Sequence, residues 1–195
     1  MKKLYLVGAL LMMLSTQAQK TKQDEGIKLG IKGGLNVANF AGDLENNEIR
    51  TSIHLGLVSE IIVSEKFSIQ PELLYSGQGF SDKNEAGFSR YKFDYINLPV
   101  LAKFYIMDDN LSLEAGPQVG FLVSAKNKSI GANTSVEDQK VVDFGLNLGL
   151  GYELKNHVFF QGRYNLGLTN INDSASSGTF KYTNSVIQFS VGYLF

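Results

Sequence analysis

From Ile27 to the last residue, hydrophobic side chains recur at every second position. That is the period of a β-strand with one apolar face, and it is not the 3.6-residue period of a helix. Ile27, Leu29, Ile31, Leu35 and Val37 alternate with Lys28, Gly30, Lys32, Gly34 and Asn36. Ile53, Leu55, Leu57, Ile61 and Val63 alternate with His54, Gly56, Val58 and Glu60, and Phe67, Ile69, Pro71, Leu73 and Tyr75 with Ser68, Gln70, Glu72 and Leu74. A fourth segment sets Ile96, Leu98, Val100, Ala102, Phe104 and Ile106 against Asn97, Pro99, Leu101, Lys103 and Tyr105. The second half repeats the pattern from Leu113 to Phe121, Val142 to Leu154, Val158 to Leu168 and Ile187 to Phe195. The reading is all-β: eight strands, each as long as the roughly 9–11 residues of a tilted membrane crossing.

The connections alternate too. Long links at residues 38–50, 81–90, 126–140 and 172–181 are interleaved with tight ones at 64–66, 108–110 and 155–157. Short turns on one side and long loops on the other, with an even strand number, predict an eight-stranded antiparallel up-and-down transmembrane β-barrel. Aromatic residues fall near both sets of strand ends: Phe67, Phe104, Tyr105, Tyr152, Phe159, Tyr193 and Phe195 by the short turns, Phe80, Tyr91, Phe121, Phe180 and Tyr182 by the long loops. They are expected to form two interfacial bands.

The first residues follow other rules. Met1-Lys2-Lys3 is positive, residues 4–14 are apolar but too short to span a bilayer, and Thr16-Gln17-Ala18 offers small residues at a cleavage site. Residues 1–18 therefore read as a cleavable signal peptide, with the barrel domain over residues 19–195. The absence of cysteine excludes disulfides, thiol catalysis and a lipid-modified amino-terminal cysteine, and a formal net charge of −1 argues against nucleic acid as a partner.

A soluble barrel would show the same alternation, so the polar face has to decide. It is rich in Gly, Asn, Gln and Ser rather than in the Lys and Glu that water favours, which suits a cramped interior. The apolar face is then expected to meet lipid.

Six segments carry a family resemblance: Gly30-Ile31-Lys32-Gly33-Gly34-Leu35-Asn36, Phe67-Ser68-Ile69-Gln70-Pro71-Glu72-Leu73-Leu74-Tyr75, Tyr95-Ile96-Asn97-Leu98-Pro99, Leu113-Glu114-Ala115-Gly116-Pro117-Gln118, Arg163-Tyr164-Asn165-Leu166-Gly167-Leu168 and Gly192-Tyr193-Leu194-Phe195. In this order the chain resembles the PorT-like family of outer-membrane β-barrel proteins of Bacteroidetes-type bacteria. The resemblance implies a fold and a location in the outer membrane of a Gram-negative cell. The family's name-giving member is tied to protein secretion, and a family name does not transfer that role. The closing Phe195 matches the aromatic end that barrel-assembly machinery is thought to read.

With the apolar face outward, the inward charges are Lys28, Lys32, Lys103 and Arg163 against Glu60, Glu72, Glu114, Asp143 and Glu153. Buried charges must pair, so an ionic plug centred on Glu72, Lys103, Glu114 and Arg163 is expected. Such a plug excludes a diffusion porin, which needs about 16–18 strands. His54 and His157 are the only histidines. His54 is expected to point inward near the outer rim, within reach of Asp43 or Ser81, and His157 to sit exposed in a turn. No nucleophile motif accompanies either, and no metal-ligand spacing is present. Asp108-Asp109-Asn110 reads as a tight turn rather than a calcium loop, and Gly145, Gly149 and Gly151 lie on a strand, not before a helix. Asp173-Ser174-Ala175 fits a short O-glycosylation pattern.

The expectation is a non-enzymatic integral membrane protein without catalytic, cofactor-binding or metal-binding residues, structural or partner-binding in role. The alternatives are an accessory factor in secretion or assembly and a small enzyme acting at the barrel rim. The expected partners are outer-membrane lipid, the barrel-assembly machinery during insertion and another envelope protein.

Overall fold

The computed structural model describes residues 26–42, 47–84, 87–107, 110–129, 132–135, 140–170 and 182–195. The expected signal peptide, Asp43, the Asp173-Ser174-Ala175 pattern and Phe180 lie outside them. Among the described residues no helix occurs, and nine strands do: β1 Ile27–Gly42, β2 Asn47–Ser64, β3 Phe67–Asn84, β4 Gly87–Met107, β5 Leu111–Ser129, β6 Ala132–Ser135, β7 Val142–Glu153, β8 Val158–Gly167 and β9 Tyr182–Leu194. Eight of them form one antiparallel cycle, β4-β3-β2-β1-β9-β8-β7-β5, which closes where β4 pairs with β5. The short β6 pairs with the outer end of β5.

The alternation sorts side chains as a lipid-facing barrel requires. Leu148 is 55% and Phe189 58% exposed on the outer wall, whereas Lys32 is 2% and Arg163 3% exposed inside. On β7 and the residue after it, every outward position from Val142 to Leu154 is apolar or Tyr152. That run covers about 40 Å of strand at roughly 3.3 Å per residue, or about 30 Å of height at the usual tilt. An apolar belt of this extent is far beyond what a water-facing monomer exposes, so its solvent is hydrocarbon.

Two expectations about the ends are corrected. The links at 38–50 and 81–90 are largely strand, since β1 runs to Gly42, β2 starts at Asn47, β3 runs to Asn84 and β4 starts at Gly87. Beyond the bilayer both faces of a hairpin meet water, so polar residues occupy both faces and the two-residue period fades while backbone pairing continues. As a result β2 to β5 are 18, 18, 21 and 19 residues long and rise as a wall, against 12, 10 and 13 for β7, β8 and β9. The aromatic bands are also incomplete. Tyr105 and Phe159 are buried, and Phe80 and Tyr91 stack at 4.6 Å between centroids against buried Phe93 and Tyr95. Phe104, Tyr152, Tyr193 and Phe195 stay on the outer wall. Phe159 has its place because Gly192 lies under its ring, where a Cβ would collide with it.

The β7–β8 turn shows how a tight end is made. The His157 N–H donates to the Leu154 carbonyl at 2.9 Å, the Leu154 N–H donates to the Val158 carbonyl at 2.7 Å, and His157 takes φ +66°. This is a three-residue hairpin loop whose last residue is left-handed, and His157 is exposed there as expected.

Two outcomes follow for stability, both measured by urea unfolding of the barrel in lipid vesicles. Leu148→Arg lowers stability by about 2–4 kcal/mol, as a cation near the bilayer midplane does. At the turn, His157→Val costs about 1–2 kcal/mol, because a β-branched residue resists the left-handed region, while His157→Gly is neutral or stabilising.

Candidate functional site

The lumen is filled with polar side chains in tiers. The middle tier is centred on the Glu72 carboxylate of β3, which receives both Arg163 Nη atoms of β8, at 3.0 and 2.8 Å, and the Lys32 ammonium of β1, at 2.9 Å. Gln70 Nε2 donates to Glu72 at 2.6 Å. Gln161, two residues before Arg163 on the same inward face, accepts from Lys32 at 2.9 Å and donates to Glu114 of β5 at 2.9 and 2.8 Å. Arg163 also lies 3.5 Å from Glu114. Gly149 stands between Glu114 and Arg163 in the same ladder row, so no side chain separates them. This one cluster ties β1, β3, β5 and β8 across the barrel.

Of the four side chains expected to meet, Glu72, Glu114 and Arg163 do so and Lys103 does not. Lys103 pairs with Glu114 in the β4–β5 register, yet its ammonium turns the other way, to Glu60 of β2 at 3.2 Å. There it joins Ser68, whose hydroxyl donates to Glu60 at 2.7 Å, and Tyr105, whose hydroxyl donates to the same carboxylate. The Lys103 ammonium also sits 5.2 Å from the Tyr105 ring centroid. Glu114 is already occupied by Gln161 and Arg163, so Glu60 is the carboxylate left to this lysine. Between the two tiers Val58, Phe159 and Leu194 form a small apolar cluster. Lys28 and Glu153 pair at 3.1 Å near the short-turn end.

His54 is buried at mid-wall rather than at the outer rim, because β2 extends seven residues beyond it to Asn47. Its neighbours are also not those expected. Ser81 lies five positions beyond Ser76, the register partner of His54. His54 Nδ1 meets Asn36 Oδ1 at 2.7 Å and Nε2 meets Ser190 Oγ at 2.7 Å. A hydroxyl, an imidazole and an amide in this order resemble a hydrolase triad. Here, however, the Asn36 oxygen also accepts from Gln188 at 3.0 Å, Asn36 Nδ2 donates to Ser76 and Gly77, and every member is buried in the wall-to-wall lattice. The arrangement satisfies buried polar groups.

Phe195 is 73% exposed on the outer wall, with its N–H donating to the Leu29 carbonyl at 2.6 Å and its ring edge-on to Tyr193 at 5.6 Å. β9 thereby closes on β1.

An apolar exterior sized for hydrocarbon around a filled polar lumen defines an integral membrane β-barrel of the small, non-porin class. The chain belongs to the outer membrane protein beta-barrel domain family, whose model matches residues 17–173, and its location is the outer membrane. The fold recurs among solved structures, of which two illustrate it. One is Ail, the attachment invasion locus protein of Yersinia pestis, at 15% identity and TM-score 0.53, covering 88% of this chain and 100% of Ail. The other is Neisserial surface protein A, at 11% identity and TM-score 0.59, covering 88% and 100%. No curated protein matches the chain.

The tiers predict distinct couplings. Glu72→Ala strands Arg163 and Lys32 and costs about 3–5 kcal/mol. In double-mutant cycles Glu72 couples to Arg163 by more than about 1 kcal/mol and to Lys103 by less than about 0.5 kcal/mol, read from unfolding midpoints at constant slope.

Proposed function

We propose that this chain is a non-enzymatic surface barrel whose lumen transmits nothing and whose business is done at the wall that rises beyond the apolar belt. The observation that carries this reading is the Glu72–Arg163–Lys32–Glu114 cluster, which joins opposite walls of an eight-stranded barrel. With the lumen occupied by mutually neutralised side chains, an ion or solute would have to break several charge-assisted bonds to pass. What remains accessible is the raised wall of β2 to β5, which stands clear of the apolar belt on one side. Such a wall offers a platform for a binding partner in the envelope or outside the cell.

The PorT-like motifs support a second role for the same platform, as an accessory factor in secretion or outer-membrane assembly. Export by a signal peptide over residues 1–18 and insertion guided by Phe195 through the barrel-assembly machinery complete this reading. A rim enzyme has less support: among the described residues the triad-like constellation, at Ser190, His54 and Asn36, is locked in the lumen.

Two measurements test the proposal. In planar bilayers the purified barrel passes no steady current, and a defined single-channel conductance would overturn the sealed lumen. In a deletion strain, selective loss of exported proteins that the intact gene restores identifies the accessory role, whereas an unchanged secreted and surface proteome favours the structural or binding role.

A further inference from the structure

One interior carboxylate has no ion-pair partner among the described residues. Among the described residues the inward cations are Lys28, Lys32, Lys103, Arg163 and, opposite buried Ala38, Arg50, and the inward carboxylates are Glu60, Glu72, Glu114, Glu153 and Asp143. The four glutamates each lie within salt-bridge distance of a lysine or arginine. Asp143, 7% exposed near the outer end of β7, has no cationic side chain within that distance among the described residues. A buried carboxylate without a counter-charge is costly and must gain a positive partner or a proton.

Its surroundings are polar side chains with unmet hydrogen-bonding capacity. Asn184 of β9 donates to Asp143 Oδ2 at 2.6 Å, which leaves Asp143 Oδ1 and Asn184 Oδ1 without a protein hydrogen-bond partner. Asn97 of β4, 1% exposed, has neither Oδ1 nor Nδ2 satisfied by protein. The residue between them is Gly120 of β5, register partner of both Asn97 and Asp143. Asn97 Oδ1 leans over this glycine, 2.7 Å from where a Cβ would stand. The Tyr95 hydroxyl is 3.5 Å from Asn184 Nδ2, and the Thr169 hydroxyl accepts from the Phe144 N–H at 2.8 Å, next in sequence to Asp143. Three buried oxygens without a protein hydrogen-bond partner thus belong to Asn97 and Asp143, which flank Gly120 in one ladder row, and to Asn184, which is bonded to Asp143. Orphaned buried acceptors are rare in folded proteins.

We infer that Asp143, Asn97 and Asn184 form a binding site for one hard, oxygen-seeking metal cation, entered from the outer mouth. Carboxylate, amide carbonyl and hydroxyl oxygens are the ligands such ions select. A bound cation neutralises Asp143 and fastens β4, β7 and β9 at a tier that the Glu72 cluster does not reach.

The test uses the full mature barrel folded in detergent micelles at pH 8. NaCl or CaCl2 is titrated while choline chloride holds ionic strength constant, and thermal unfolding and the side-chain amide NMR signals of Asn97 and Asn184 are followed. The expected result is a saturable rise of several degrees in Tm, with both amide signals shifting along the same titration curve. Asp143→Asn abolishes both responses and is at least as stable as the parent without added metal. Gly120→Ala, which fills the gap but keeps the carboxylate, weakens the apparent affinity at least tenfold and holds the test open where Asp143→Asn does not fold. The two ions distinguish a monovalent from a divalent site. No saturable response to either ion, or an equal response in Asp143→Asn, overturns the proposal and leaves Asp143 carrying a proton.

Discussion

The structure turns on one arginine reaching across the lumen to one glutamate. Arg163 and Glu72 are 91 residues apart in sequence, on strands β8 and β3 that are not neighbours in the sheet. In water their pairing would be worth little. Inside a barrel surrounded by lipid it cannot be left unmade, because either charge alone is stranded in a medium that does not solvate it. Lys32 and Glu114 follow from that pairing, and Gln161 joins them by supplying both a donor and an acceptor. The strand register is consequently specified from inside, at a place where lipid on the outside is indifferent to which leucine it meets.

Lipid inverts the usual division of labour between faces. The exterior carries the apolar side chains but gains little specificity from them, since acyl chains are as apolar as leucine and close around any shape. The interior carries the shape. Gly192 under the Phe159 ring and Gly149 between Glu114 and Arg163 mark points where one residue is reduced to backbone so that another can cross the lumen. The same device at Gly120 leaves room over which Asn97 leans. Glycine's abundance in this chain therefore records the packing of a narrow tube.

Much of this was legible in the sequence, and the limits have physical causes. Strand number, the two faces and the identity of the inward charges follow from a two-residue period that lipid on one side and a polar lumen on the other keep sharp. Which inward charges meet does not follow, because it depends on how the closed sheet is staggered. Lys103 illustrates this: its register partner is Glu114, yet it binds Glu60 two strands away. Gln161 carried no charge to draw attention, although its parity places it inside. The strand ends were blurred for the opposite reason, since beyond the bilayer water wets both faces and the period disappears from β2, β3 and β4 while the pairing persists. His54 was misplaced toward the rim by that same lost signal.

A closed lumen and an uneven rim belong together. If the interior carried traffic, its charges would have to remain available to a solute, and they could not also bind one another at 2.8–3.0 Å. Committing them to each other seals and stiffens the barrel, and a stiff barrel can hold a wall that rises on one side only. The height difference lies in β2 to β5, the strands that run farthest past the belt, and β6 extends the raised sheet by one short strand. Two of the strands that rise, β3 and β5, supply Glu72 and Glu114 to the cluster at their feet. The polar interior is thus the foundation of the exposed wall, and the part of the molecule that meets the outside is held in place by charges that never do.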